Sequence, residues 1–263
     1  KIKFIKNLNN KKFDYIFIFD GKQRSILSSF LINGVNKVAL TPKVFFYYRF
    51  FKIKFIINLK KNSLNEAFQN IINISKINSK IKNYDFLNNK KDNKFSLNIP
   101  IKNYIHIHLD EKWLNNLYIK KYTNINPNFE SFVSFLEIIN QKNNVLITTG
   151  IISFDLIEKL KKNYFYKKTE NIFFKKNSFN SIYLIFKPTF NDLESLLRKS
   201  KFLITCHGAI TIASNSFNVN KIDIIEKSQE DFYIKFTSHL KNYYAVYRSD
   251  FIYLKEEIFD KIE

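Results

Sequence analysis

The 263 residues predict an α/β chain built as two doubly wound domains, and three observations carry that prediction. Short β-branched and aromatic runs alternate with segments whose apolar residues recur at helical spacing. A polar, lysine-rich stretch without a sustained period, "INSKIKNYDFLNNKKDNKFSLNIP" (77–100), splits this alternation into two series. In the second series strands run into glycine-containing turns and then helices, the pattern of a parallel sheet whose strand ends and helix starts share one crevice. The domains are expected at 1–97 and 98–248, with the tail 249–263 forming a last helix that crosses back to brace the first domain.

The elements follow in chain order. "DYIFIFD" (14–20) is a strand, and "GKQRSILSSFLIN" after it sets Ile26, Leu27, Phe30 and Leu31 at helical spacing, which makes a βα unit. "NKVAL" is the next strand, and "SLNEAFQNIINIS" (63–75) is a helix with Leu64, Phe68, Ile71 and Ile72 on one face. The region 77–100 then reads as a linker. "YIHIHL" opens the second series as a strand, followed by the helix "NPNFESFVSFLEIINQ", with Pro127 expected in its first turn. "NVLITTG" is a strand ending in glycine, and "SFDLIEKLKK" a helix expected to be capped by Ser153. "SIYLIF", "NDLESLLRKS", "FLITC", "AITIASNSF" and "KIDIIE" continue the alternation, and "KEEIFDKIE" forms the terminal helix.

Composition narrows the class. The chain is 45% apolar, enough for real cores, yet no apolar run approaches the roughly 20 residues of a membrane-spanning helix. The start "KIKFIKNLNNKKFDY" has no apolar segment of signal-peptide length, and the single cysteine, Cys206, cannot form an intrachain disulfide. A cytoplasmic location is expected. There is no methionine and the chain begins at Lys1, which predicts that further sequence precedes it and that the first domain is incomplete.

The formal charge of +20 raises nucleic acid as a partner. Against this, the arginines are only Arg24, Arg49, Arg198 and Arg248, and no basic stripe stands apart from a background rich in lysine, asparagine and isoleucine. No nucleic acid is expected. The charge instead suits peripheral attraction to an anionic membrane surface, such as the inner face of a plasma membrane.

Candidate chemistry concentrates in "FLITCHGAITIA" (202–213), where an apolar strand reaches Cys206 and His207, turns at Gly208-Ala209 and starts a helix. Free N–H groups at a helix start carry partial positive charge and face the crevice in which such sheets hold ligands. His207 stands at that strand end and is a candidate ligand-binding and catalytic residue. Cys206 reads as a small buried residue ahead of a nucleophile in a Cys-His hydrolase, since a thiolate needs activation. His106 and His108 alternate with Ile105 and Ile107 on one face of a strand; a metal pair lacks an evident third ligand, so histidines satisfied within the sheet are expected. Asp20, at a strand end, is the available carboxylate base, with capping of the next helix as the plainer role.

At these residues a resemblance emerges. "FDYIFIFDGKQRSILSSFLINGVNKVAL" resembles a segment of glycosyltransferase family 9, the ADP-heptose:lipopolysaccharide heptosyltransferases, in which a strand ends in Asp, glycine follows, then Arg-Ser. "YIHIHLDEKW" resembles the strand and loop opening that family's C-terminal domain, where a lysine before a tryptophan reaches the donor's phosphates. "VLITTG" resembles its glycine-containing turn, and "LITCHGAITIAS" stands where the family has an Asp-Ser/Thr-Gly turn and a histidine in the following helix. Here Cys206 occupies the acidic position and Thr211 the histidine position.

The resemblance implies the GT-B architecture, two Rossmann-like domains facing across a cleft, and an inverting, metal-independent glycosyltransferase with no cofactor. The donor, a nucleotide-sugar, would bind through Lys112, Thr149, Gly150, Thr205, Cys206, His207, Gly208 and Ala209, with Thr211 and Glu226 at the rim. A lipopolysaccharide or other glycolipid or glycan acceptor would lie near Asp20, Gly21 and Arg24. The family's Gly-Asp loop, whose aspartate is its usual base, has no counterpart and is expected upstream of Lys1. Two alternatives stand: a GT-B-like domain that binds nucleotide or glycan without catalysis, and a basic nucleic-acid binder.

Overall fold

The computed structural model describes residues 2–41, 43–50, 53–58, 61–76 and 99–262. The chain divides into two compact units, Lys1–Lys82 with Asp231–His239, and Asn83–Glu230 with Leu240–Glu263. Of the expected linker over 77–100, residues 77–98, and with them the expected boundary at 97/98, lie outside the described residues.

The first unit contains α1 (Ile2–Asn9), β1 (Tyr15–Ile18), α2 (Gln23–Ser28), β2 (Asn36–Thr41), β3 (Ile53–Asn58) and α3 (Leu64–Ile74). The strands pair in parallel in the order β1-β2-β3. Because side chains alternate across β2, Ala39 packs with Ile18, Ile26, Tyr48 and Ile53, while Val38 and Leu40 pack with Ile57, Ala67 and Ile71. A three-strand sheet is thus covered on both faces. Helix α3 starts with a reciprocal cap: Ser63 Oγ accepts from the Glu66 N–H at 3.3 Å, and the Glu66 carboxylate accepts from the Ser63 N–H at 2.7 Å.

The second unit runs β4 (Tyr104–Leu109), α4 (Phe129–Lys142), β5 (Val145–Thr149), α5 (Asp155–Asn163), β6 (Tyr166–Lys167), β7 (Ile172–Lys176), β8 (Ser181–Ile185), α6 (Phe190–Leu197), β9 (Ser200–Cys206), α7 (Ala209–Ser214) and β10 (Asn220–Ile225). After α8 (Glu230–Thr237), most of which groups with the first unit, come β11 (Tyr243–Tyr247) and α9 (Phe251–Ile262). The strand order is β11-β10-β9-β4-β5-β8-β7-β6. Its parallel part, β8-β5-β4-β9-β10-β11, has the 3-2-1-4-5-6 winding of dinucleotide-binding sheets, so the direction of winding reverses between β4 and β9. Ligands bind such sheets at the crevice formed by the strand ends at that reversal.

Several sequence expectations change. The sheet is not wholly parallel: β6 and β7 pair antiparallel to their neighbours, because the connections around them are too short for a crossover. Helix α4 begins after Pro127, at Phe129, capped by Asn128 Oδ1 accepting the Ser131 N–H at 2.8 Å. Ser153 does not cap α5; its hydroxyl donates to Glu158 at 2.5 Å, and the cap position is Phe154. The expected terminal helix is α9, over Phe251–Ile262. Phe251, Leu254 and Ile258, spaced to share one helix face, enter the second unit's own core with Trp113, Phe132 and Phe135, and it is Asp231–His239 that groups with the first unit.

Candidate functional site

The carboxyl ends of β4 and β9 carry the polar side chains. Past β4, Asp110 caps a short helical turn over Glu111–Trp113 by accepting the Lys112 N–H at 3.2 Å, and its other oxygen pairs with Lys112 Nζ at 3.0 Å. Trp113 anchors the turn: its indole is buried against Phe132 and Phe251, and Nε1–H donates to the His108 carbonyl at 3.0 Å. A wholly buried indole therefore fixes where the next-door ammonium stands. The Lys112 side chain is 19% exposed and that of Asp110 only 5%. Burial lifts the Asp110 carboxyl above the usual carboxylate range, with the Lys112 charge pulling against it. Burial also opposes the charge on Lys112, but the Asp110 carboxylate outweighs it and holds the ammonium above its ordinary pKa.

Lys112 lies directly over the turn after β9. A side-chain carbon added at Gly208 would overlap the Lys112 ammonium nitrogen, so a larger residue would push the cation off this turn. Gly208 is in extended backbone, so the requirement is one of space rather than of conformation. Gly150 is confined in the same way from β5: a carbon there would fall 2.9 Å from the Asp110 Cβ and 2.9 Å from Glu111 Oε2. Lys112, Gly150 and the turn at His207-Gly208-Ala209 thus come together at the winding reversal.

Behind this turn sits a carboxylate that sequence reasoning missed. Asp223, in the middle of β10, has a fully buried side chain that takes three hydrogen bonds: from His207 Nδ1 at 2.6 Å, Thr211 Oγ1 at 3.0 Å and the Tyr243 hydroxyl at 3.0 Å. Thr211 in turn accepts the Gly208 N–H at 3.2 Å. The His207 side chain is 15% exposed, so its ring spans from a buried acid toward the surface. The signal in the sequence was "KIDII", an acid inside an apolar strand, which must be matched by donors when buried.

The other expected donor residues form a supporting layer. Thr205, Cys206, Thr211, Thr149 and Glu226 are all buried. Thr149 Oγ1 accepts the Lys187 N–H at 2.9 Å, and Glu226 accepts the Thr123 N–H at 2.7 Å, so each fixes a loop. The Cys206 side chain is turned into the fold: burial pushes its thiol pKa well up, and its sulfur faces Arg248 Nη1 at 3.6 Å. Arg248, itself buried, donates from Nε to the Thr123 carbonyl at 2.7 Å and ties the end of β11 to the loop before α4. Ala209 is exposed, and α7 below it is only six residues long, so its end offers little dipole. His106 and His108 are buried with the Thr148 hydroxyl between their rings, at 2.8 and 2.9 Å.

In the first unit, Asp20 and Arg24 line one groove of about 850 Å³ with Ile16, Ile18, Ser25 and Ile32. Gly21 turns the chain with φ of 63°, a left-handed conformation that favours glycine. Asp20 accepts from the Ser25 hydroxyl at 2.5 Å and the Lys22 N–H at 3.1 Å. Slight burial works against its charge, but those bonds outweigh it and hold its pKa below the usual carboxylate value. That is the wrong direction for a base acting near neutrality; the geometry fits the plainer role of closing the turn into α2.

Solved structures similar to this chain include glycosyltransferases and epimerases. E. coli heptosyltransferase WaaC with ADP superimposes with a TM-score of 0.64 over 99% of this chain and 76% of that one, at 13% identity. This is the fold of the heptosyltransferases. E. coli ADP-heptose lps heptosyltransferase II shares the GT-B fold at a TM-score of 0.61 and 10% identity, over 99% of this chain and 78% of that one. The UDP-GlcNAc 2-epimerase of Methanocaldococcus jannaschii follows at 0.50 and 14%, over 99% and 72%. No protein-family profile and no curated protein sequence matches the chain.

Proposed function

We propose that the chain is a glycosyltransferase that uses a nucleotide-sugar donor, inverting and metal-independent, with a lipopolysaccharide or similar surface glycan as acceptor. One observation carries the reading: Lys112 is held by Asp110 over the glycine turn at the winding reversal, in a fold shared with a heptosyltransferase solved with ADP. The donor's diphosphate is assigned to Lys112 and the Gly208 turn, with Gly150 allowing close approach. During transfer the anomeric C–O bond to phosphate breaks, the acceptor oxygen bonds to that carbon, and the nucleoside diphosphate leaves carrying the electron pair. Lys112 would neutralise that charge, the task a metal performs elsewhere. His207, oriented by Asp223, is assigned the proton, in the way a buried acid orients an imidazole in acid–base catalysis.

The acceptor is assigned to the first unit, near Asp20, Gly21 and Arg24. A membrane contact belongs with it. Phe46 and Phe50 are 83% and 77% exposed beside exposed Val44, Lys43 and Arg49, on a turn anchored by stacked Phe45 and Tyr47 and buried Tyr48. Aromatic tips ringed by cations suit an anionic bilayer. The chain should sediment with vesicles of phosphatidylglycerol and not with phosphatidylcholine alone, and Phe46→Ser with Phe50→Ser should abolish that; equal sedimentation with both lipids would refute the contact.

The deciding test is thermal stabilisation by ADP, UDP, GDP and CMP, with and without EDTA. Stabilisation near 2.7 kcal/mol is expected at about 100 times the dissociation constant of the right nucleotide, unchanged by EDTA; no shift with any of them would refute the reading. A second reading, binding without catalysis, is favoured by Cys206 and Thr211 standing where the resembling family has an acid and a histidine. It predicts nucleotide stabilisation without sugar transfer to any lipopolysaccharide acceptor.

A further inference from the structure

A buried polar chain runs from the far end of the sheet to the site. Ser200 Oγ lies 3.4 Å from His106 Nδ1; His106 Nε2 lies 2.8 Å from Thr148 Oγ1; Thr148 Oγ1 lies 2.9 Å from His108 Nδ1. His108 Nε2 then faces Asp110 Oδ2 at 3.8 Å, and the same oxygen holds Lys112 at 3.0 Å. The row exists because His106 and His108, two apart on β4, point to one face and β5 sets Thr148 in register with His108.

We propose that His108 is a positioning residue for Lys112, locked by Thr148 and His106 in the tautomer that turns its Nε2–H toward Asp110. The assignment follows from hydrogen counting. Asp110 pairs with an ammonium, so it is an anion, and an anion favours N–H over a lone pair at His108 Nε2. His108 Nδ1 is then bare and accepts the Thr148 O–H. Thr148, having only one hydrogen, must accept from His106 Nε2–H. His106 Nδ1 is bare in turn, 3.4 Å from Ser200 Oγ, whose own hydrogen goes to the Leu196 carbonyl at 3.0 Å. From His106 to His108 every hydrogen points toward Asp110. Both rings stay neutral near pH 7, because burial pushes His106 down to about 3, helped by the neighbouring His108, and His108 down to about 4, helped by Lys112. The positive ends of aligned dipoles thus support a carboxylate that burial disfavours, and that carboxylate keeps the ammonium over Gly208.

The inference rests on the proposed function only for its ADP readout. The primary experiment is nitrogen NMR of the histidine rings in the wild-type chain labelled with ¹⁵N-histidine. Both rings should be Nε2–H tautomers with bare Nδ1; a His108 ring protonated at Nδ1 overturns the inference. Thr148→Val keeps the shape and removes the central hydroxyl, and should weaken ADP binding about three- to tenfold, as for loss of one neutral hydrogen bond. His108→Gln, which retains an N–H in reach of Asp110, should restore binding relative to His108→Leu. A folded Thr148→Val chain with unchanged ADP affinity, or equal losses in His108→Gln and His108→Leu, would overturn the positioning role. Absence of ADP binding by the wild type, with His108 found as Nε2–H, would strike the donor assignment and leave the directed row standing.

Discussion

Gly208→Ala separates the fold from the site. Its backbone is extended, so alanine adopts it without strain, and the one obstacle to a new Cβ is the Lys112 ammonium. Carbon and nitrogen need roughly 3.5 Å between them, so the ammonium must retreat by about 1 Å, which a long flexible side chain can do. The cost to stability is a weakened Lys112–Asp110 pair, about 1 kcal/mol or less while the lysine still reaches its partner. The cost to binding is larger: a charge-assisted hydrogen bond to phosphate contributes about 1.5–3 kcal/mol, which is about 10- to 150-fold in ADP affinity. Lys112→Ala should lose as much affinity and more stability, because it strands the buried Asp110. The sole tryptophan, Trp113, adjoins Lys112, so its fluorescence can report the ADP titration, and a thermal melt gives the stability. A folded Gly208→Ala chain that binds ADP as tightly as the parent would refute the placement of the diphosphate under this ammonium.

Acid should destabilise the second unit. His106 and His108, at about 3 and about 4 in the fold against an unfolded 6.5, bind fewer protons folded than unfolded between those values, so stability is complete above pH 6.5 and falls as pH drops. Between pH 7 and 5 the loss should be about 2 kcal/mol per ring at most, read from urea midpoints at the two values; a flat profile would contradict burial of neutral rings. Asp223→Asn, which removes the charge that three donors share, should cost about 3–5 kcal/mol in urea denaturation, and a loss under 1 kcal/mol would refute the buried cluster. Cys206 should resist iodoacetamide in the native chain and react on unfolding in urea, and Cys206→Ala should keep ADP affinity within about twofold; fast native labelling would place the thiol at the surface.

Local pattern made the alternation legible: "YIHIHL", "VLITT", "FLITC" and "KIDII" are strands because their β-branched and apolar residues suit a pleated, buried layer, and the turn at Gly208 announced itself as a strand-to-helix corner. The same reasoning singled out Lys112, Gly150 and His207, since each adjoins a strand end, and the fold gathers them at one end of the sheet. It also named Thr205, Cys206, Thr211 and Thr149, whose side chains are buried because both faces of the central strands are covered, which proximity in sequence does not reveal. Asp223 went unassigned because its partners, His207, Thr211 and Tyr243, come from three separate segments that meet only when β9, β10 and β11 lie side by side. The core that takes the terminal helix was hidden for a related reason. Its apolar face can be read from spacing alone, but which core receives that face depends on the shape of the cavity left by Trp113, Phe132 and Phe135. Periodicity records whether a residue is buried, and that much is fixed by the order of residues; the identity of its neighbours is a property of strand order and packing, which hydrophobic burial, being non-directional, leaves to the tertiary fold.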